Sequence, residues 1–396
     1  MVDPAVSPAA PAHHLSPTGQ PRARALGIPL LGVPGVHNAI TDVAGVEVGY
    51  RTIIRGDGPL VVGQGPVRTG VTAIFPRGRE GAGVPVFAGV HSLNGNGEMT
   101  GFVWIEECGR TEFPIVLTNT HSVGLARDAV VKWMLSRAPT RMAPWALPVA
   151  AETYDGHLND INGFHVTDLD VGTALDDARS GPIDEGSIGG GTGMVCYEFK
   201  GGTGTSSRRV VVGNPPGVTD AGPGTTTGHV GVLVQANFGR RQQLTIAGIP
   251  VGRWLMDAAA TAPSAAADAG SIIVVIATDL PLVPHQLKRL ARRAGLGVGK
   301  SGGIAGHGSG DIFLAFSTAN AGAFAPGLMP RSLEVLPDDA LNPVFTAVIE
   351  AVDEAILNAL VSNRSMVGRD GHVVEAMPHE PVGAWCRAVA DGPPAL

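Results

Sequence analysis

The chain has 396 residues, 44% of them hydrophobic and only 16% charged, so it can bury a large core. Its net charge of −7 argues against nucleic acid and against an anionic membrane surface as partners. Three cysteines, Cys108, Cys196 and Cys386, are odd in number and far apart, which points to reduced thiols and not to a disulfide frame or a metal-binding pair.

In chain order, MVDPAVSPAAPAHHLSPTGQPRARALG comes first, rich in Pro and Ala and without a continuous apolar run. Residues 1–25 are expected to form a disordered tail, neither a secretory signal nor a membrane span, in which His13 and His14 are incidental. No later apolar run approaches the roughly 18 residues that span a bilayer, so a soluble, cytoplasmic protein is expected. Residues 26–396 read as a single α/β domain, with strands and helices alternating and no linker. AITDVAGVEVGY and TGVTAIFPRG are early strands broken by turn residues, and PIVLTNTHSVG is a buried strand ending in a polar loop. Leu125, Ala129 and Trp133, four apart, predict a helix over residues 124–136. ALPVAAETYDG is a strand that carries Glu152 and Tyr154 into a loop, and HVGVLVQANFG repeats that plan with Asn237. NGNGEMTG, residues 94–101, is expected to border a site, with Glu98 opening a helix and Asn94 or Asn96 near substrate.

At APSAAADAGSIIVVIATDLPL the chain changes character within one peptide bond. Residues 262–270 have the composition of an exposed, cuttable loop, while Ile272 to Ala277 is a β-branched run that reads as a buried strand. A helix is expected to open at Pro284, where proline suits the first turn, with Lys288, Arg289, Arg292 and Arg293 on a solvated face. GKSGGIAGHGSGD then feeds the strand IFLAFST, and a long helix after Asn342 carries Val344, Val348, Val352, Ile356 and Leu360 on one face.

Ser271 stands where the loose loop meets the strand. A serine there is ordinarily the polar end of a loop, but Gly270 before it permits strained backbone geometries, and the apolar strand after it would hold it rigidly. If the Gly270–Ser271 bond breaks, Ser271 gains an α-amine whose pKa, about 7.7–8.0, leaves it partly neutral near pH 7. Such an amine can serve as the base for its own hydroxyl, so no histidine is required. Other signals are weak: SIGGGTGM and GGIAGHGSG hint at nucleotide loops but lack the strand-turn-helix spacing of a G-x-G-x-x-G fingerprint. His91 and His121 show no partner ligands nearby in sequence and are expected to be loop histidines, not zinc ligands.

The strings GSIIVVIATDLPLVPHQLKRLARRAGLGVG, SGDIFLAFSTAN, ITDVAGVEVG, NGNGEMTG, LTNTHSVG, AETYDGHLNDINGFHV and GVLVQANFG together resemble the self-processing L-aminopeptidase/D-amino-acid esterase-amidase family, which includes the β-peptidyl aminopeptidases. The resemblance runs from about Ala25 to the C-terminus. It implies an αββα sandwich, related in plan to the N-terminal-nucleophile hydrolases and similar to the ornithine acetyltransferases. It also implies self-cleavage between Gly270 and Ser271 into pieces 1–270 and 271–396 that stay together. Carried over residue by residue, Ser271 resembles the nucleophile, and Ser309 with Asp311 the pair that supports it. Some relatives carry Glu at the latter place, and an aspartate reaches one methylene less far. Asn237 and Tyr154 match oxyanion-stabilising positions, and Glu152 the residue that receives the substrate's ammonium group.

The resemblance implies substrates that are short peptides, amino-acid amides or esters, no cofactor or metal, and a homo-oligomer, a tetramer of processed units. Rival readings are acyl transfer of the ornithine acetyltransferase type, a nucleotide-dependent oxidoreductase built on the glycine loops, and a non-catalytic assembly protein. Serine rather than threonine at 271, and the string AETYDG, favour hydrolysis.

Overall fold

The run from Ser271 to Thr278 is buried at every position, and its two sets of side chains enter two different cores. Ile272, Val274 and Ile276 pack into one apolar cluster, and Ile273, Val275 and Ala277 into another. A strand covered on both faces needs no alternation of polar residues, which is why it reads as a continuous apolar run. The computed structural model that shows this describes residues 11–142, 144–213, 222, 224–258, 270–325 and 327–390.

The longer strands are β1 (Glu47–Arg55), β2 (Val67–Phe75), β3 (Val86–Gly95), β4 (Ile115–Asn119), β5 (Val149–Thr153), β6 (Gly202–Val212), β7 (Thr226–Asn237), β8 (Ser271–Thr278) and β9 (Gly310–Ser317). One sheet has the order β1-β2-β4-β5; the other runs β3-β9-β8-β7-β6, with a short strand, Arg110–Thr111, on the outer edge of β3. Strands β4 and β5 are parallel, as are β8 and β9. Parallel neighbours need a crossover, and helices α1 (Val123–Arg137) and α3 (Pro284–Lys300) lie in these two connections. Two more helices are α2 (Asp168–Asp176) and α4 (Asn342–Val361).

Three apolar clusters fix the layers. Trp133 and Met134 of α1 and Val171 and Leu175 of α2 pack with Val71, Phe75 and Val116 of the first sheet. Val48, Ile74 and Leu117 of that sheet meet Leu233, Ile273 and Leu314 of the second. Leu287 and Leu290 of α3 and Val348, Val352 and Ile356 of α4 cover its other face. Helix, sheet, sheet, helix is the αββα order expected from the sequence.

Three expectations need correction. The tail expected over residues 1–25 is ordered into short helical and bridged segments from residue 11 onward, residues 1–10 lying outside the described residues. Arg22 is buried and pairs with Glu185 at 2.6 Å, Arg24 pairs with Glu354 at 2.7 Å, and the Ala23 N–H donates to Asn358 Oδ1. This segment is anchored by charge and hydrogen bonds, so a search for apolar runs overlooks it. Helix α1 buries Ala129 and Trp133 as expected, with Ala126, Val130 and Met134, but Leu125 is 37% exposed and Ala126 takes its place on the buried face. The helix expected to open at Glu98 opens at Phe102, after Gly101 in a left-handed conformation. The loop expected over 262–270 lies outside the described residues except for Gly270.

Candidate active site

Strand register assembles the centre of the site. Asn237 ends β7 opposite Ser271, which starts β8, and Ser271 in turn lies beside Gly310 at the start of β9. Ser271 is 6% exposed. The Gly310 N–H points between two oxygens, 3.1 Å from the Gly270 carbonyl and 3.3 Å from Ser271 Oγ. One backbone donor therefore serves both the carbonyl of the expected scissile bond and the hydroxyl next to it.

Ser309 and Asp311 flank Gly310. The Ser309 hydroxyl donates to Asp311 Oδ1 at 2.7 Å, and both residues are buried. An aspartate is thus long enough to reach this serine. A hydroxyl whose proton is committed to a carboxylate presents lone pairs to its other neighbours. Asn94 and Asn96 clamp this loop: their side-chain amides donate to the Gly306 and Gly308 carbonyls at 2.5 and 2.8 Å.

Glu152 approaches from the other sheet, on β5. Its Oε1 accepts from the Glu98 N–H at 3.0 Å, and its Oε2 accepts from the Thr120 hydroxyl. A Cβ on Gly97 would lie 3.3 Å from Glu152 Oε1 and 3.2 Å from Gly310 Cα, so the carboxylate and the start of β9 meet across this glycine. Burial raises the Glu152 pKa, while the Thr120 and Glu98 hydrogen bonds pull it back toward the carboxylate. Two donors leave lone pairs for a third partner. The ends of the two sheets are stitched together here, because Gln235 Nε2 on β7 donates to the Thr118 carbonyl and to Thr153 Oγ1.

Asn237 is held by its oxygen: the Val195 N–H donates to Asn237 Oδ1 at 2.8 Å. That leaves the Nδ2 hydrogens free to point elsewhere. Tyr154 lies one residue past the end of β5, is 48% exposed and has its ring over Gly156. No hydrogen bond joins it to Ser271 or Asn237 among the described residues.

Other sequence signals resolve into packing. A Cβ at Gly190, in the Ser187–Met194 stretch, would lie 2.1 Å from Gln235 Oε1 and 2.6 Å from the Leu117 carbonyl. Those glycines admit a close approach of the chain to the sheets and make no phosphate loop. His91 lies within β3 with its ring against Phe313, and His121 stacks on Phe164. Among the described residues no cluster of His, Cys, Asp and Glu is suited to a metal ion, and Cys108, Cys196 and Cys386 are free thiols. Sequence reasoning missed Thr120, Gly310, Val195 and Lys200. Thr120 sits in the family-like string LTNTHSVG, and Gly310 between Ser309 and Asp311, so both were within reach.

One neighbouring carboxyl makes stability depend on pH. Burial pushes Asp155 from its ordinary 3.8 up to about 7, against hydrogen bonds from Thr69, Asn159 and Asn119. The folded chain then holds this proton more tightly than the unfolded one. Its stabilising contribution is complete below about pH 3.8 and is lost as pH rises toward 7. Between about pH 4.5 and about 7.5, Asp155→Asn should lose on the order of 3 kcal/mol less than its parent. Urea titration of both, in an uncleaved Ser271→Ala background, measures this; equal pH slopes would contradict the assignment.

Known proteins resemble this chain over most of its length. The model of peptidase family S58 matches residues 38–374. A β-peptidyl aminopeptidase of Sphingosinicella microcystinivorans is 52% identical over 371 residues, covering 91% of this chain and 90% of the relative. The structure of the L-aminopeptidase D-Ala-esterase/amidase of Ochrobactrum anthropi, described as a prototype for the serine aminopeptidases and a new variant of the Ntn hydrolase fold, superposes with a TM-score of 0.82. It is 48% identical, over 94% of this chain and 99% of that one. A Burkholderia sp. β-aminopeptidase superposes with a TM-score of 0.81 at 45% identity, over 94% of this chain and all of that one.

Proposed function

Because the chain belongs to peptidase family S58, we propose that it is a self-processing serine aminopeptidase that removes N-terminal residues from short peptides, amino-acid amides and esters. In the precursor, Ser271 Oγ adds to the Gly270 carbonyl carbon, and the C–N bond to Ser271 breaks as its nitrogen takes up the hydroxyl proton. The acyl group is left as an ester on Ser271. Water hydrolyses the ester, giving a Gly270 carboxylate and a Ser271 with free amine and free hydroxyl. In the mature enzyme that amine accepts the Oγ proton while Oγ attacks the substrate carbonyl. The proton passes to the departing amine or alcohol, and water then releases the acid from the acyl-enzyme.

The other residues take the roles that the family resemblance implies for them. Ser309, its proton committed to Asp311, accepts from the Ser271 amine and holds it beside Oγ. The Asn237 amide and the Tyr154 hydroxyl donate to the oxyanion. Glu152 receives the substrate's α- or β-ammonium by a charge-assisted hydrogen bond. The observation that carries the reading is the Gly310 N–H directed at both the Gly270 carbonyl and Ser271 Oγ, because it polarises the bond that must break and sits beside the group that breaks it.

Purified protein is expected to give two bands, the smaller beginning Ser-Ile-Ile-Val. An enzyme that hydrolyses aminoacyl p-nitroanilides while the bond at 270/271 is intact would overturn the proposal. The names of the relatives favour β-amino residues at the N-terminus, so β-alanyl amides should be cleaved faster than L-α-alanyl amides in a small panel. A tetramer of processed units is part of the same proposal, read out by native mass. So is a cytoplasmic location, which the three free thiols support.

A further inference from the structure

Lys200 has 0% of its surface exposed, although an ammonium group is costly to remove from water. Its Nζ donates to two backbone carbonyls, Met194 at 2.8 Å and Gly201 at 2.7 Å. The Met194 carbonyl and the Val195 N–H are the two ends of one planar peptide unit. That N–H is the donor that pins Asn237 Oδ1 at 2.8 Å. The Gly201 N–H also donates to the Met194 carbonyl, at 3.0 Å. A continuous path of three hydrogen-bonded groups thus runs from the Lys200 ammonium to the Asn237 amide.

We propose that Lys200 is a positioning residue of the oxyanion site, which polarises and fixes the Met194–Val195 peptide so that the Asn237 amide presents its NH2 and not its oxygen. The inference rests on the role given to Asn237 above. An asparagine amide offers an acceptor on one side and two donors on the other. Flipped, it would set an oxygen against a developing negative charge. A cation on the carbonyl end of a peptide strengthens the donor at its N–H end, because hydrogen bonds in series polarise one another. A neutral side chain of similar length would fill the space without this effect. Burial draws the Lys200 pKa down to about 7, with Cys196 and Asp155 opposing. Below about pH 7 the ammonium is thus kept at a cost, which packing alone does not explain.

The test is a double-mutant cycle on kcat, with rates expressed per processed Ser271 N-terminus. Lys200→Met should lower kcat roughly tenfold, less than the roughly 10²–10³-fold of deleting an oxyanion donor, with KM within about twofold. In an Asn237→Ala background the same substitution should cost less than about twofold. Full additivity, or an unchanged kcat in Lys200→Met, would overturn the proposal. A second measurement avoids both turnover and processing. In uncleaved Ser271→Ala protein labelled with 15N-valine, Lys200→Met should move the Val195 amide proton upfield, and an unmoved resonance would count equally against it. Should Lys200→Met fail to fold, Lys200→Gln must give the same pattern at smaller amplitude. If Asn237→Ala alone keeps wild-type kcat while the Val195 resonance still moves, the fault lies in the oxyanion role of Asn237 and not in the brace.

Discussion

Ser271→Ala is expected to purify as one full-length chain and to hydrolyse aminoacyl p-nitroanilides at the background rate, a loss of roughly 10⁶-fold. The substitution removes one oxygen from the start of a strand whose positions from Ile272 to Ala277 are all buried and apolar, so the fold should survive it. The pairing of position 271 with Asn237 and Gly310 is made by backbone, and the Gly310 N–H keeps the Gly270 carbonyl as acceptor. What disappears is the only atom in the proposal that attacks either the precursor's own peptide bond or a substrate. Intact mass and a denaturing gel read the first consequence, and a chromogenic substrate the second. Were the variant still to split at 270/271, the attacking group would have to be another one, and the buried Ser309, the neighbour of Gly310 in the chain, would become the first alternative. Were it to stay whole and yet turn substrate over, the N-terminal amine would have no part in the chemistry.

How far the sequence could take this argument differs from residue to residue. Strand β8 was legible because burial on both faces imposes a continuous apolar run, and a serine before such a run is conspicuous. Its neighbours were not legible from local pattern, since pairing with β7 and β9 is a long-range choice that 3.6- or 2-residue periods do not encode. Ser271 stood out from its own surroundings, the αββα order and the roles of Asn237, Tyr154 and Glu152 came through resemblance, and packing then placed Ser271, Asn237, Ser309, Asp311 and Glu152 at the facing ends of two sheets. Lys200 shows the opposite limit. In sequence it is a lysine before two glycines, which reads as a surface turn; in the fold it is buried beneath the Met194 carbonyl. Arg22 and Arg24 fall within the expected tail because polar anchors leave no apolar signature. The glycines of residues 187–194 look like a phosphate loop for a related reason, namely that close packing and anion binding both demand a missing Cβ.

Glu152→Gln is expected to fold and to self-process normally, yet to lose about 10²–10³-fold in kcat/KM for substrates with a free amine, mainly through KM. Truncating the charge of a buried, hydrogen-bonded pair typically costs 2–5 kcal/mol, and here the partner is the substrate's ammonium. Self-cleavage should be spared, because the acyl donor in the precursor is Gly270, whose nitrogen is an amide and carries no charge for Glu152 to meet. Substrates whose amine is acetylated should not distinguish the variant from its parent. The glutamine retains one oxygen for the Glu98 N–H or the Thr120 hydroxyl, while its NH2 faces a site shaped for acceptors, so a stability loss on the order of 1 kcal/mol should accompany the kinetic one. A pH profile separates the two effects. Burial raises the Glu152 pKa, so the acid limb of kcat/KM in the parent should lie above the ordinary glutamate range, with binding lost as pH falls through it. In Glu152→Gln that limb should vanish, leaving the limb set by the Ser271 amine. If the acid limb persists unchanged, or if amine-bearing and acetylated substrates lose equally, the carboxylate does not read the ammonium, and its contacts with Glu98 and Thr120 serve only to tie the β5 end to the loop before the first short helix.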